Sequence, residues 1–244
     1  MAELLHAADY VFYQSEFSRA SSAKFLGKRN KPSEVLYNAV DTNLFCPASP
    51  KRTARELVLL TAGSKYTFER VESPIRTLAC VRKSYSPTRL IFAGKVWNHL
   101  LEPTHRLIIK LGLEKHVTFL PPFTQIEAPE IFQQADILIH PKINDPCPGI
   151  VIEAMACGLS IVYSESGGVP ELVGEEAGVG VLTDSNWEQF TSPAPETWAK
   201  AVLTVAEAHL RYAEAARRRA VERFDLQPWV KRHEQVFSEL LEKA

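Results

Sequence analysis

Short apolar runs, many of them β-branched, recur along the chain with amphipathic stretches between them. Tyr10 to Tyr13, Glu34 to Tyr37, Leu57 to Thr61, Arg89 to Ala93, His116 to Leu120, Asp136 to His140, Ser160 to Tyr163 and Gly178 to Leu182 read as strands. Pro74 to Lys83, Thr104 to Leu111, Ile126 to Gln134 and Gly149 to Cys157 carry apolar residues three and four apart, which is helical spacing. Alternation of this kind predicts an α/β domain with a parallel sheet covered by helices on both faces. From Pro193 onward the pattern is almost wholly helical. A last helix is expected to begin at Asp225, with Asp225 as N-cap, Pro228 in the first turn, and Trp229, Val236, Phe237, Leu240 and Leu241 as an apolar stripe. The expected divisions are 1–47, linker-like with the first elements; 48–192, the sheet domain; and 193–244, a helical C-terminal extension.

In a parallel sheet, ligands sit beyond the carboxyl ends of the strands, so the loops after Thr61, Ala93, Leu120, His140 and Tyr163 are where chemistry is expected. The loop after His140 leads into Asn144-Asp-Pro-Cys-Pro-Gly-Ile-Val-Ile-Glu-Ala-Met-Ala-Cys-Gly158. Pro148 suits the first turn of a helix and Gly158 the position just past its end. The free amides of that helix, from Gly149 and Ile150 onward, and the positive end of its dipole make a seat for a diphosphate. Glu153 lies one turn inside, free to accept bonds from the hydroxyls of a ribose, and Asp145 on the preceding loop would meet a sugar beyond the phosphates. The next strand is followed by Gly167-Gly168-Val-Pro-Glu171, where the glycines let main chain approach a ligand and Pro170 can open a short helix. His140, at a strand end before Pro141, is in a place to face a ligand but is read first as a buried, hydrogen-bonded histidine, and the run Arg217, Arg218, Arg219 as ordinary helix surface.

Charge and cysteine usage narrow the partners. Lys and Arg number 28 against 29 Asp and Glu, so no global field draws the chain to nucleic acid. Cys46, Cys80, Cys147 and Cys157 lack the spacing of a zinc ligand set and are expected to be reduced thiols in a cytoplasm, with no metal. The first residues carry an acid early and no apolar core, so no signal peptide is expected, and no run approaches the ~18 apolar residues of a membrane span.

The order Asp145-x7-Glu153-Ala-Met-Ala-Cys-Gly158, then an apolar strand, then Gly-Gly-Val-Pro-Glu171, resembles the donor-site signature of the group 1 (family 4) retaining glycosyltransferases. Asp145 stands where that pattern has Glu, and Pro148 where it has a glycine. Ala8-Asp9 through Ser15-Glu16 resembles the segment leaving the family's N-terminal domain, and Tyr37-Asn-Ala-Val-Asp41 its interdomain linker. The resemblance implies the C-terminal, Rossmann-like half of a two-domain GT-B fold. It also implies a nucleoside diphosphate sugar as donor, and no cofactor. Asp145 and Glu153 are the implied catalytic residues. Gly63, Lys65, Arg70, Gly94, Lys95, Leu120, Gly149, Ile150, Val151, Gly167 and Gly168 are the implied donor contacts. Members of the family place an Arg after a glycine at the end of the first strand; here Gly63 is followed by Ser64 and Lys65, with Arg70 as the later cation. The acceptor side would come from a separate N-terminal domain or subunit, with self-association through the last helix and membrane attachment only through such a partner. Two alternatives stand beside this reading: a non-catalytic sugar-nucleotide-binding or regulatory subunit, and a related sugar-nucleotide epimerase.

Overall fold

The computed structural model describes residues 1–49, 56–184, 187 and 191–243. Six parallel strands form its main sheet: β3 (Leu57–Ala62), β4 (Thr88–Ala93), β5 (Val117–Leu120), β6 (Ile137–His140), β7 (Ser160–Glu165) and β8 (Gly178–Leu182), in the order β5-β4-β3-β6-β7-β8. The strands are near-continuous apolar runs because both faces are covered. Side chains alternate between faces, so Val58 and Leu60 enter one core while Leu57 and Leu59 enter the other. The first core is closed by α6 (Gly149–Ala156), α7 (Val169–Val173) and α9 (His209–Phe224), with Phe45 and Phe224 wholly buried. The second is closed by α3 (Glu69–Ser84), α4 (Asn98–Lys110) and α8 (Pro195–Glu207), around Ile75, Phe92 and Trp198. A short helix, α5 (Ala128–Phe132), leads into β6 and buries Phe132 against Phe45.

Helices on both faces of a parallel sheet are as the alternation predicts. Two helices begin earlier than expected. Pro74 and Pro103 lie in the second turns of α3 and α4, inside the helices rather than at their starts. Each removes a single i→i−4 bond there, and the amphipathic face carries the helix through.

Before the sheet come α1 (Ala2–Ala7), β1 (Val11–Tyr13), α2 (Glu16–Leu26) and β2 (Ser33–Val35), with β1 and β2 pairing in parallel as a separate two-stranded sheet. The last helix, α10 (Leu226–Leu241), returns to this unit. Asp225 caps it by accepting from Gln227 N at 3.0 Å, Arg232 pairs with Glu34 at 2.8 Å, and His233 meets Phe12 with ring centroids 4.4 Å apart. Of the predicted stripe, Val236 is buried, whereas Phe237 and Leu241 are 56% and 77% exposed. The chain crosses between the two units twice, side by side: Val40 N donates to Phe224 O and Leu226 N to Val40 O.

Arg217 and Arg219 depart from the expected surface run. Arg217 donates to the carbonyls of Phe45, Ala156 and Thr42, and Arg219 to those of Leu172 and Glu171. A guanidinium that satisfies helix-end and loop carbonyls is a structural tie. Only Arg218 of the three is exposed.

Candidate functional site

Chain order reverses between β3 and β6: β3, β4 and β5 run outward to one side, and β6 returns to the other side of β3. Loops leaving neighbouring strands in opposite directions open a crevice at that switch point. Here it has a volume of about 320 Å³ and is bounded by Thr61 to Lys65 and Arg70 from the β3 side, and by His140 to Lys142, Asp145 and Pro148 to Ile150 from the β6 side.

Of the residues singled out in the sequence, the structure brings Gly63, Lys65, Arg70, Asp145, Gly149 and Ile150 together on these walls. Lys65 is 5% exposed, and its ammonium turns back to donate to Ala62 O at 2.7 Å and Gly63 O at 2.9 Å. Burial, and then the Arg70 charge, bring it down to about 7. The Arg70 guanidinium lies over the Tyr66 ring, 4.1 Å from its centroid. Across the crevice, Asp145 is buried, with Oδ2 2.9 Å from Lys142 Nζ and 3.3 Å from His140 Nε2. Burial alone would raise the carboxyl; the two neighbours outweigh it and hold Asp145 below its usual range. His140 is lowered, chiefly by burial, so the imidazole is neutral beside an ionised Asp145. Its contact with Asp145 is a close approach rather than an aligned hydrogen bond, since Nε2 has no hydrogen-bond partner among the described residues.

Helix α6 aims its first amides at the same space. Those of Gly149 and Ile150 have no partner among the described residues, whereas Val151 donates to Pro148 O at 3.1 Å and its side chain is wholly buried. The free amides therefore stop at Ile150, one residue short of the expected set. Glu153 lies a turn further in, half-buried, its carboxylate without a hydrogen-bond or ion-pair partner among the described residues; burial raises this carboxyl. Gly94, Lys95 and Leu120 lie at the ends of β4 and β5, outside the crevice walls. They join it indirectly: Lys65 N donates to Lys95 O, Gly94 N to Leu120 O, and the Gly94 Cα faces the Gly63 backbone, where a Cβ would lie 3.0 Å from Gly63 O.

The two glycines of the next loop pack closely against neighbouring main chain. A Cβ on Gly167 would lie 2.4 Å from Asp145 O, and one on Gly168 2.0 Å from Pro146 O and 2.8 Å from Ser15 Oγ. Gly168 N donates to Asp145 O at 2.9 Å. Their missing side chains let this loop close on the backbone that carries Asp145.

Sequence reasoning missed Lys142, although its i,i+3 spacing to Asp145 was available as a signal, and it missed the work of Glu171. The Glu171 carboxylate accepts from Glu16 N at 2.8 Å, Phe17 N at 2.9 Å and Tyr37 Oη at 3.1 Å. It thus satisfies the first amides of α2, while Ser15 Oγ accepts from Ser18 N as the helix's own cap. Asn38 adds a second tie, donating through Nδ2 to Cys147 O at 2.8 Å. Glu171→Ala is expected to destabilise the chain by on the order of 2 kcal/mol, given charge-assisted bonds that are only partly buried. It should also speed hydrogen exchange at Glu16 and Phe17; unchanged exchange there would show that the carboxylate does not hold the helix.

The family described as glycosyl transferases group 1 matches residues 48–217. The chain belongs to the group 1 glycosyl transferases. D-inositol 3-phosphate glycosyltransferase of Salinispora tropica is 30% identical over 189 residues, a match covering 69% of this chain and 38% of that relative. The match thus spans well under half the length of that relative. Sucrose-phosphate synthase of Thermosynechococcus elongatus superposes with a TM-score of 0.80 at 20% identity, over 100% of this chain and 61% of that one. Anabaena HepE in complex with UDP and glucose superposes with a TM-score of 0.78 at 23% identity, over 95% of this chain and 64% of that one. The fold is the Rossmann-like C-terminal domain of the GT-B architecture. No helix among the described residues is long and apolar enough to cross a membrane.

Proposed function

We propose that the chain is the donor-binding half of a retaining, family 4 glycosyltransferase, seating a nucleoside diphosphate sugar for transfer of a hexosyl unit to an acceptor hydroxyl. The observation that carries this reading is the crevice at the β3/β6 switch point, where Lys65, Arg70, Lys142 and two free α6 amides surround a single carboxylate. Such a wall favours a dianion, and it favours it more as negative charge grows on a departing diphosphate. The reading assigns charge neutralisation to these cations and amides. Asp145 orients the sugar and Glu153, a carboxyl with no partner among the described residues, the ribose. Gly167 and Gly168 act through the Asp145 backbone.

The acceptor side comes from a separate domain or subunit, and the exposed Phe237 and Leu241 on α10 suit contact with such a partner or a second copy. Calorimetry with uridine, guanosine and adenosine diphosphates and their sugar conjugates tests the reading. Glu153→Ala is expected to weaken the bare nucleotide by roughly 1 to 3 kcal/mol, whereas Asp145→Ala weakens only the sugar conjugate. The same losses for both ligands in both variants would show the roles to be wrongly divided. No binding at all would remove the donor site, and sustained transfer by the 244-residue chain alone would refute the need for a second half.

A further inference from the structure

One cation in the wall of the crevice is a buried lysine, Lys65, and its surroundings give it no counter-charge. From its own strand end, Lys65 Nζ meets only the carbonyls of Ala62 and Gly63. From the first turn of α3 comes Arg70, a second positive charge. The loop after β4 brings Lys95, whose carbonyl accepts from Lys65 N and whose ammonium lies over the Trp97 ring, 5.0 Å from its centroid. From β6 and its loop come His140, Lys142 and Asp145, and that one carboxylate is already engaged with Lys142 at 2.9 Å and with His140 at 3.3 Å. Helix α6 offers Gly149 and Ile150, which are uncharged. A buried ammonium among carbonyls and like charges is destabilised relative to the neutral amine.

We infer that Lys65 is a proton-linked receptor for the donor's diphosphate, largely shedding its proton in the free chain above neutral pH and taking one up together with the anion. The inference rests on the donor-site reading above and adds to it a regulation by pH. The lowered position of Lys65, about 7, agrees with the geometry. Two negative phosphates beside the amine reverse the local balance and restore the ammonium. An arginine at this place would stay charged throughout and carry no such linkage. Donor affinity is therefore greatest at and below neutral pH and falls as the solution becomes alkaline, because each bound donor must then also draw a proton from water.

The experiment uses the full chain, its Lys65→Arg variant, uridine diphosphate glucose and guanosine diphosphate mannose. Their bridged phosphates do not titrate between pH 6.5 and 8.5, so the ligand contributes no slope of its own. For the sugar nucleotide that binds, affinity is expected to fall roughly tenfold from pH 7 to pH 8.5, the loss set by an amine titrating near 7. Calorimetry in two buffers of different ionisation enthalpy should report about half a proton taken up per donor at pH 7. Lys65→Arg should still bind, with neither the slope nor the uptake. Separately, lysine labelled with carbon-13 at Cε, assigned through Lys65→Arg, should show one resonance titrating near neutrality without any ligand. A Lys65 resonance titrating in the ordinary lysine range, or equal pH slopes in the parent and Lys65→Arg, would overturn the inference while leaving the donor site intact. If neither sugar nucleotide binds while Lys65 titrates near neutrality, the donor-site reading fails and the linkage falls with it.

Discussion

Gly168→Ala is expected to cost about 3 kcal/mol or more, the upper end of what overpacking a close-packed site costs, and to weaken donor binding more than tenfold. The residue has φ −90°, which any side chain adopts, so the penalty is steric rather than conformational. The new Cβ would fall 2.0 Å from Pro146 O and 2.8 Å from Ser15 Oγ. Pro146 O is main chain in the loop that carries Asp145, and its ring fixes the backbone there. Relief therefore requires prising this loop from Gly168 N, which donates to Asp145 O, and shifting Ser15 at the cap of α2. The contrast is Gly149→Ala, at the first position of α6, where a Cβ would meet nothing within 4 Å. That variant should unfold in urea within about 0.5 kcal/mol of the parent, as surface changes away from special features do. Gly168→Ala with parental stability and parental affinity would mean that the two loops are not packed as described.

The same pair of loops shows what a linear reading can reach. The strands from Leu57 to Thr61 and from Asp136 to His140 were legible because burial on both faces leaves an uninterrupted apolar run, and no long-range knowledge is needed to see one. The start of α6 at Gly149 was legible for a similar reason: Pro148 and Gly158 punctuate the helix locally. What could not be read depends on pairs far apart in the chain. Helix α2 buries none of its residues, and beyond the Ser15 cap its first amides are held by Glu171, 155 positions after Glu16, a tie that no local pattern announces. The glycines were read as room for a ligand; only the fold shows that Asp145 and Pro146 occupy that room. The i,i+3 spacing of Lys142 to Asp145 is in the sequence, but it gains meaning only once the loop sets the two side chains 2.9 Å apart. The placement of the crevice follows from β6 returning to the far side of β3, a choice of strand order that no window of sequence records.

Alkaline conditions should unfold the chain well before ordinary tyrosines and lysines titrate fully, with a loss on the order of 4 kcal/mol between pH 9 and pH 11, at 1.36 kcal/mol per group and pH unit. Three buried groups carry the effect. Burial pushes the Cys147 thiol up to about 11, the Cys157 thiol to about 12 and the Tyr163 phenol to about 12, from 9.0 for a thiol and 10.0 for a phenol. Each is neutral when protonated and sits at 5% exposure or less. Between its unfolded and folded values each group holds more protons in the native state than in the unfolded one, so stability falls as pH rises. Their contribution is complete below about pH 9 and is lost through pH 11 to 12. Lys65 acts with the opposite sign. Its folded value near 7 lies below that of a free lysine, so the unfolded chain binds the extra proton and stability rises from pH 7 toward pH 10. The expected profile is a shallow gain above neutrality followed by a steeper fall once the thiols begin to ionise. Urea midpoints measured under reducing conditions from pH 7 to pH 10.5 would trace it. Cys147→Ala with Cys157→Ala removes two of the three acids and should flatten the alkaline limb by more than half, leaving Tyr163 and the rise from Lys65. A parent whose midpoint stays level above pH 9, or a double variant that falls as steeply as the parent, would show that the buried thiols ionise without opening the core beneath the Asp145 loop and α6.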